Sequence, residues 1–558
     1  MGNSEAAEVF LTDFPSTGVF PIRRFPSPGW TAAALLLFVY MLTLAPGVTL
    51  WDSGEFLAAI HSFGIPHPPG TPLYVLIGKV WSMIFASAFG FARSINLLSA
   101  VCTAFGCGIL TSLFARWTED GFAATAAGLT AGLMSTMWQS ATETEVYAVA
   151  FLFGCMILWA ADRAGENSDM RWALLTAYLA GLAWTLHLTA LLALPSAILL
   201  VFSTPDGYFA VPVGRRYADG RREAHSFAKL LRASIIVALI GMTCIAFMII
   251  RARHDPAINQ GNPATYGGLF DVIMRRQYDV PSLWPRQAPL YLQFGNVIEY
   301  ADWQFAKGLA PDAPPSWWRT PITVLYAIVG LFGFFAHRTV DRRSWRALAL
   351  LFLVSLVGVV LYLNLKAGPS FGAGILSPSA LHEARERDYF FFFAFVCWGL
   401  WAGFGAIRLS HVLPIPFKLI AIVMPFAPGL LNWAAVDRRT DPVEERARLD
   451  ATDMLARVPP SGVFLALGDN DTYPLWYLQQ AEGTRKDVTV VAVPLLGAKW
   501  YRAELARRYK LLDSATVETW PGRDSILAVL TKRSYDQNRP VFKSPFFALD
   551  TSLRAKKK

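Results

Sequence analysis

Two acidic residues that could take part in proton transfer, Asp52 and Glu55, stand three positions apart in the run WDSGEF, just after the first apolar stretch. Side chains at this spacing share one face of a helix. At the outer end of a membrane span, such a carboxylate could reach the headgroup layer and act on a lipid-linked substrate there. The same pattern is typical of a helix start, with Asp52 as the cap and Glu55 in the first turn. Taken alone, these two residues favour the interpretation as a helix start over a role in proton transfer.

Four further polar or aromatic residues are candidates for binding a substrate. His67 opens the run HPPGTPLY, whose prolines fix the chain before it re-enters the bilayer. Glu145 and Tyr147 lie in ETEVYA, between two apolar runs, where a hydrated loop with interfacial aromatics explains them equally well. His187 marks a break between two apolar runs. An ionisable group at membrane depth is a functional candidate, although a packing histidine fits as well.

Three cations lie in a segment predicted to be extracytoplasmic, residues 364–389, against the usual bias of positive charge toward the cytoplasm: Lys366, Arg385 and Arg387. An anionic phosphate is a natural partner, because arginine offers two parallel donors to its oxygens. The alternative partners are the acids of the same segment, Glu383, Glu386 and Asp388.

Other recognisable chemistry is scarce. No P-loop, dinucleotide-binding glycine pattern or zinc-ligand spacing occurs in the sequence, which argues against an ATP-driven pump. The five cysteines all fall inside apolar runs and are typical of buried small side chains. A run GDND at 468–471 follows a predicted strand and is either a ligand site or a helix cap. No cofactor is predicted, and a need for a divalent metal is left open.

Composition identifies the scaffold that must position these residues. Hydrophobic residues make up 54% of the 558 positions and charged residues only 16%, against roughly 25% charged in soluble proteins. Repeated apolar runs of about 16 to 22 residues predict membrane spans. The net charge of +9 comes with Arg and Lys gathered in short loops, which is typical of topology signals rather than of nucleic-acid binding.

The distribution of positive charge among the loops predicts the membrane topology. The basic stretches 204–232 and 337–346 are expected in the cytoplasm, and about eleven crossings result. Three apolar runs lie between 72 and 138, where the number of crossings must be even, so one run is re-entrant or two form one broken span. The predicted outer loops are 46–71, 251–320 and 364–389.

Three regions follow from this topology. Residues 1–29, with a basic pair at 23–24 that precedes the first apolar run, are predicted to be a cytoplasmic segment. Residues 30–433 form the multi-span helical domain. Residues 434–558 are predicted to be a small extracytoplasmic α/β domain, with buried strands at 463–467 and 488–493 on either side of a helix at 472–480. The fold class is thus mainly α, with a small C-terminal α/β domain.

Several of these segments together resemble a bacterial family of multi-span proteins related to the vertebrate transmembrane protein O-mannosyltransferases. They extend from about residue 48 to 502, in matching order: WDSGEF with HPPGTPLY, ETEVYA, GLAWTLHLT, EARERDYFF and GDNDTYPLWYLQQAEGTRKDVTVV. The family is similar to the C-type glycosyltransferases. The resemblance implies a multi-helix membrane fold, a polyprenyl-phosphate sugar donor and an acid in the first outer loop acting as catalytic base.

Carried onto this chain, the resemblance assigns the base to Asp52, with Glu55 as the second candidate. The expected activity is inverting transfer of a mannose-like hexose to an acceptor hydroxyl, on a protein or else on a glycan, outside a bacterial inner membrane. Substrate-binding roles are expected for a wider set of residues: His67, Glu145, Tyr147, His187, Lys366, Arg385, Arg387, Asp388 and Tyr389.

Two other classes of function compete with this hypothesis. A transporter or flippase of a lipid-linked or anionic substrate would place ionisable groups near the bilayer midplane and often contain inverted repeats. Here the charged candidates cluster at one face, and no repeat is visible. A non-catalytic envelope assembly protein would tolerate loss of Asp52 and Glu55. Convergence of Asp52, Glu145, His187 and Arg387 on one outward-facing cavity would distinguish an enzyme.

Overall fold

A computed structural model of the chain describes residues 27–204, 214–216, 222–224, 227–278, 282–312, 314–371, 376–377, 380–439 and 442–548. Most of them lie in helices. Residues 1–26 of the predicted cytoplasmic segment, and most of the basic stretch predicted over 204–232, fall outside the described residues. Two short strands of that stretch, β1 (Gly214–Arg216) and β2 (Arg222–Ala224), pair antiparallel.

The membrane part of the chain begins with ten helices: α1 (Pro28–Leu42), α2 (Ser53–Ser62), α3 (Pro72–Phe89), α4 (Phe91–Thr118), α5 (Gly121–Gly132), α6 (Ser135–Ala141), α7 (Val146–Asn167), α8 (Met170–Leu186), α9 (Leu194–Val201) and α10 (Phe227–Met242). Ten more follow: α11 (Ala246–Arg253), α12 (Tyr266–Ile273), α13 (Leu290–Asp302), α14 (Thr320–Val340), α15 (Arg342–Leu353), α16 (Val359–Leu363), α17 (Phe392–Ser410), α18 (Ile415–Val423), α19 (Pro428–Leu431) and α20 (Trp433–Val436). Short 3-10 or π segments join several of them into longer rods.

Among the described residues, seven helical segments are long and apolar enough to cross a membrane: Pro72–Phe89, Phe91–Thr118, Val146–Asn167, Phe227–Arg253, Thr320–Val340, Arg342–Leu363 and Asp388–Ser410. Three shorter apolar helices accompany them: Pro28–Leu42, Leu188–Val201 and Ile415–Phe426. The prediction of a mainly helical, multi-pass membrane protein is confirmed. Large apolar side chains line the outer faces of several of these helices, as expected of surfaces that contact lipid.

A buried charge cluster marks one end of the helical bundle. Asp162 near the end of α7 pairs with Arg116 near the end of α4, and its other oxygen accepts from Arg343 Nη1 at 2.6 Å. Arg343 stands at the start of α15. The predicted cytoplasmic loops 162–171 and 337–346 therefore lie at the same end. Because Glu145 immediately precedes α7, the candidate site residues lie at the opposite end.

Helix α3 accounts for the odd number of apolar runs between 72 and 138. Only Gly90 separates α3 from α4, and α4 starts at the site end, since Asn96 Nδ2 donates to the carbonyls of Ala45 and Gly47 at 3.0 and 2.9 Å. The start of α3 follows the segment that holds His67, at the same end. Helix α3 thus begins and ends on one side of the bundle, although its length and composition suit a span.

The apolar run at 122–138 is a broken span. Helix α5 ends at Gly132 and α6 begins at Ser135. The backbone groups freed by the break find partners, because Ser135 N donates to the Gln304 carbonyl at 2.9 Å and Ser135 Oγ donates to the Trp303 carbonyl at 2.8 Å. Non-helical backbone at membrane depth is tolerated where protein supplies such partners. At the break, residues of the predicted outer loop 251–320 enter the bundle.

The C-terminal domain has α/β architecture around a small parallel sheet, in the strand order β4-β3-β5. Strand β3 (Val463–Ala466) pairs in register with both neighbours, β4 (Thr489–Ala492) and β5 (Val541–Lys543). The first two strands and the intervening helix agree with the sequence prediction. Its helices are α21 (Pro442–Ala456), α22 (Asp469–Gln480), α23 (Lys499–Tyr509), α24 (Ser514–Glu518) and α25 (Arg523–Asp536).

The C-terminal domain packs directly on the predicted outer loops. Arg507 and Arg508 of α23 both bond to Asp255, and Trp500 Nε1 donates to Gln277 Oε1 at 3.1 Å. Helix α22 lies against α2 so closely that a Cβ built at Gly54 would be 2.5 Å from the backbone carbon and oxygen of Tyr473. The domain therefore forms a wall of the region that contains Asp52.

We expect Gly54→Ala to destabilise this contact by about 1–3 kcal/mol, because the added methyl group meets rigid backbone. The check is the thermal unfolding midpoint of the purified protein in detergent. Gly47→Ala is the matched control, since a Cβ at Gly47 has no neighbour within 4 Å. Equal midpoints for the two variants would mean that α22 is not seated on α2 in solution.

Candidate active site

An ion pair between two segments that were predicted to be outer loops lies at the centre of the candidate site. Arg385 Nη2 donates to Asp52 Oδ2 at 2.8 Å, and the two side chains are 12% and 14% exposed. Asp52 immediately precedes α2, yet its side chain makes no capping hydrogen bond to that helix. The helix-cap interpretation of Asp52 is therefore wrong for its carboxylate, which points to Arg385 instead.

Aromatic rings hold the guanidinium of Arg385 in place. Its central carbon lies 5.3 Å from the ring centre of Trp51 and 4.8 Å from that of Tyr389. Tyr389 Oη accepts hydrogen bonds from Arg385 Nε at 2.9 Å and from Arg387 Nη1 at 2.7 Å. Two arginines thus converge on one oxygen, in an arrangement that could equally grip the oxygens of a phosphate.

The charge state of Asp52 reflects two opposing effects. Burial raises the pKa of the Asp52 carboxyl, but the positive charges of Arg385, His67 and Arg387 together lower it below its usual value. The carboxylate is therefore ionised at neutral pH and remains an acceptor for a proton. Its position before the first turn of α2 also favours the anion.

Glu55 lies deeper and has its own partners. Its side chain is fully buried, and Oε2 is 2.5 Å from His67 Nδ1. Oε1 accepts from the backbone N–H of His67 at 2.7 Å and from Gln260 Nε2. The two acids of WDSGEF therefore point to different partners. Glu55 fixes the HPPG segment and the loop of Gln260 beneath the Asp52–Arg385 pair.

The Glu55–His67 pair predicts a pH-dependent stability. Burial opposes the charge on His67, but Glu55 outweighs it and raises the pKa of His67 from 6.5 to about 9. A raised pKa in the folded state stabilises the protein fully below pH 6.5 and loses its effect as the pH rises through about 9. We expect the native protein to be more stable than His67→Asn at pH 6, by a margin that shrinks by pH 9.5.

Unfolding midpoints across this pH range provide the check. The control is His254→Asn, because His254 is exposed and its Nδ1 contacts the backbone carbonyl of Ile250 rather than a carboxylate. A margin for His67→Asn that stays constant from pH 6 to 9.5 would contradict the ion pair.

A second group of candidates flanks the ion pair. Glu145 immediately precedes α7, but its side chain makes no capping hydrogen bond to that helix. Its Oε2 is buried with no hydrogen-bond partner among the described residues. Burial first, and then the charge of Asp52, raises the pKa of Glu145 well above its usual value. The Tyr147 ring lies 4.6 Å from that of Tyr389 and 5.0 Å from that of His187, between ring centres. A polar and aromatic surface thus continues from the ion pair.

Three predicted residues have mainly structural contacts. His187 Nδ1 accepts from the Thr189 backbone N–H at 3.2 Å and caps the 3-10 turn that follows. Asp388 Oδ2 accepts from Thr136 Oγ1 at 2.6 Å, on the side facing α6. Lys366 contributes its backbone, since its N–H donates to Glu383 Oε1 at 3.0 Å and its carbonyl accepts from Asn296. Three acids of the same segment were the alternative partners expected for the cations. Of these, Glu383 forms an ion pair with Arg387, with 3.5 Å between Oε2 and Nη2.

Three participants were not among the predicted site residues, although two of them lie in runs that the sequence singled out: Trp51, Gln260 and Asn470. Asn470 Oδ1 accepts from the Trp51 backbone N–H at 2.7 Å. Its neighbour Asp469 faces the same region, where partial removal from water and the charges of Asp52 and Glu55 raise its pKa to about 6. The GDND run was the available signal, but its proximity to WDSGEF depends on docking of the C-terminal domain.

Within the described residues, no group of three or more His, Cys, Asp or Glu side chains is arranged to hold a metal ion. The charge complementarity of the site comes instead from Arg385 and Arg387 beside Asp52. An acid, two arginines and adjoining aromatic rings at one end of a helical bundle define the class: a multi-pass membrane protein with a polar site at one end of its helices.

Two family models match this chain. The protein O-mannosyl-transferase TMEM260 N-terminal domain matches residues 52–207, and the TMEM260-associated domain 2 matches residues 447–526. The first match begins at Asp52, and the second contains Asn470. The chain is therefore related to the TMEM260 protein O-mannosyl-transferases, and the family resemblance expected from the sequence is confirmed.

Similar proteins are found across most of the chain. Protein O-mannosyl-transferase tmem260 of Dictyostelium discoideum is 22% identical over 525 residues, which cover 84% of this chain and 58% of that protein. Protein O-mannosyl-transferase TMEM260 of Mus musculus is 24% identical over 535 residues, covering 88% and 66%. The chain thus spans between 58% and 66% of the length of these relatives. Among solved structures, apo ArnT from Cupriavidus metallidurans is similar with a TM-score of 0.47 and 11% identity, covering 84% of this chain and 91% of that one.

Proposed function

We propose that this protein is a membrane glycosyltransferase that moves a mannose-like hexose from a polyprenyl-phosphate donor to an acceptor hydroxyl, on protein Ser or Thr, with inversion at the anomeric carbon. The observation that carries the proposal is the pairing of a largely buried carboxylate, Asp52, with Arg385 at 2.8 Å. One partner can accept a proton, and the other can neutralise a phosphate. The relation to proteins named as protein O-mannosyl-transferases supports the choice of sugar and acceptor.

Asp52 is the general base in this mechanism. The acceptor oxygen attacks the anomeric carbon and forms the new glycosidic bond while its proton passes to the Asp52 carboxylate. The bond between the anomeric carbon and the phosphate oxygen breaks with its electron pair leaving on the phosphate. The polyprenyl phosphate departs as an anion. Because Asp52 is held ionised, it can receive the proton at neutral pH.

Arg385 and Arg387 stabilise the leaving phosphate. Both donate to Tyr389 Oη in this structure, so their donors already point to a common position. A phosphate oxygen bound there would receive charge-assisted hydrogen bonds in a partly buried site, where such bonds are strongest. Arg385 would exchange its carboxylate partner for the phosphate, which frees Asp52 for the acceptor.

Glu145, Tyr147 and His67 shape the sugar site. Glu145 Oε2 has no bond among the described residues, so a sugar hydroxyl could satisfy it. The Tyr147 ring offers a stacking surface beside Tyr389. His67, held by Glu55, contributes positive charge near Asp52. In this proposal Glu55 positions other groups and leaves the base role to Asp52.

The reaction is proposed to occur on the extracytoplasmic face of a bacterial inner membrane. Basic residues are concentrated at the other end of the bundle, around Arg116, Arg163 and Arg343. Positive charge in short loops marks the cytoplasmic side of a membrane protein. The C-terminal domain, which packs on the same outer loops as the site, would then be extracytoplasmic, and the N-terminus cytoplasmic.

The test uses purified protein in proteoliposomes, with a panel of radiolabelled polyprenyl-phosphate sugars and Ser/Thr-containing peptides as acceptors. We expect label to pass from a polyprenyl-phosphate hexose to the hydroxyl of a peptide, with inverted anomeric configuration in the product. Transport of the labelled lipid across the bilayer, without any covalent transfer, would favour the flippase instead.

A further inference from the structure

The residue before the proposed base has an unusual backbone conformation. Trp51 has φ of +61°, in the left-handed region that large side chains rarely adopt. Such a conformation persists only where surrounding contacts hold it. One such contact at Trp51 is the hydrogen bond from its backbone N–H to Asn470 Oδ1, at 2.7 Å. The acceptor belongs to the C-terminal domain, 419 positions away in the sequence.

The conformation of Trp51 determines where two groups of the site lie. Its ring covers the guanidinium of Arg385 at 5.3 Å, while its backbone leads directly into Asp52. Arg385 in turn bonds to Asp52 at 2.8 Å. A rotation of the backbone at Trp51 would therefore displace the ring from the arginine and change the direction of the neighbouring carboxylate.

Helix α22 is well placed to hold this turn. Its first residues, Asp469 and Asn470, reach the site, while Tyr473 one turn later lies against Gly54 at the start of α2. The close approach at Gly54 leaves little room for the two helices to shift relative to one another. Asn470 therefore presents its side-chain oxygen to Trp51 from a fixed support.

We propose that Asn470 is a positioning residue, through which the C-terminal domain holds the Trp51 turn and thereby aligns Asp52 and Arg385 for sugar transfer. This inference rests on the proposed function for its catalytic consequence. The contact itself is independent of that function. The domain at 434–558 then forms part of the active site, since without it the turn that carries the base has lost its acceptor.

The experiment compares Asn470→Leu with Gln480→Leu, an equivalent amide-to-leucine change at the far end of α22. Two quantities are measured on the full chain in detergent: amide hydrogen exchange of peptides covering residues 48–56, and kcat for transfer from a polyprenyl-phosphate hexose. We expect faster exchange and a loss of about 10- to 100-fold in kcat for Asn470→Leu only, because small misplacements of a catalytic group are costly. Gln480→Leu should match the native protein in both.

A double-mutant cycle separates positioning from general destabilisation. If Asn470 acts through Asp52, adding Asn470→Leu to Asp52→Asn should cause little further loss in kcat. Additive losses, or unchanged kcat in Asn470→Leu, would overturn the proposal. If the native protein transfers no sugar, the proposed function fails instead, and unchanged exchange in Asn470→Leu would then still overturn the contact.

Discussion

We expect Asp52→Asn to lower kcat for sugar transfer by about 10²- to 10⁴-fold, the range typical of losing a general base. Asparagine has nearly the same shape as aspartate and can still accept a hydrogen bond from Arg385. It cannot take the proton of the acceptor hydroxyl. The measurement is the initial rate of transfer at saturating donor and acceptor, for native and variant protein purified in the same way.

The control for this prediction is Asp450→Asn. Asp450 is exposed and pairs with Arg446, one turn earlier on α21, so its loss should change little. Unfolding midpoints would verify that Asp52→Asn is folded. A folded Asp52→Asn with near-native kcat would exclude Asp52 as the base.

The second large effect is expected for Arg385→Met, which should lower kcat by about 10²- to 10³-fold, as removal of a group that stabilises developing charge typically does. Methionine can fill the space between the Trp51 and Tyr389 rings but offers no charge. The loss of Arg385 also raises the pKa of Asp52, because burial then acts with less opposition. The acid limb of the pH–rate profile should therefore move to higher pH, which kcat measured from pH 4 to 9 would detect.

Two further variants sharpen this result. Arg385→Lys keeps the charge but not the paired donors, so we expect activity between those of the native protein and of Arg385→Met. Arg446→Met, an exposed arginine on α21, is the matched control and should leave the profile unchanged. An unshifted acid limb in Arg385→Met would contradict the coupling between Arg385 and Asp52.

Much of this architecture could be predicted from hydrophobic runs and charge. The spans from α7 onward, the strands β3 and β4 and the helix between them all follow from local patterns. The proximity of loops 162–171 and 337–346 also followed from charge bias, because both were assigned to one side of the membrane. Helices and strands of this kind are indicated by the pattern of residues next to one another in the sequence, and the charge of a loop can be read from the sequence as well.

Helix α3 shows where such patterns fail. Its 18 residues are apolar enough to span, yet both of its ends lie on one side of the bundle. Whether α3 crosses the bundle depends on where α4 begins. The start of α4 is held at the site end by Asn96, which donates hydrogen bonds to the carbonyls of Ala45 and Gly47. Nothing local distinguishes a span from a helix that returns. Strand β5 was missed for a related reason, since it is short and mostly exposed at a sheet edge.

The candidate site combines predictable and unpredictable parts. Asp52, Arg385 and Arg387 could be proposed because acids and cations beside a membrane invite a role. Their actual pairing could not, since Asp52 and Arg385 are 333 positions apart. The ion pair of Glu55 with His67 was not predicted either, because each residue was expected to act separately, Glu55 as a second candidate base and His67 in substrate binding. Asn470 is the clearest case, because its importance appears only once the C-terminal domain is docked.

The most direct test of the account is a structure of the full chain with a polyprenyl-phosphate hexose bound. We expect a phosphate oxygen within hydrogen-bond distance of Arg385 or Arg387, and the Asp52 carboxylate on the opposite side of the anomeric carbon, within about 3.5 Å of where an attacking oxygen would sit. A phosphate bound away from both arginines, or an Asp52 side chain turned away from the anomeric carbon, would contradict it.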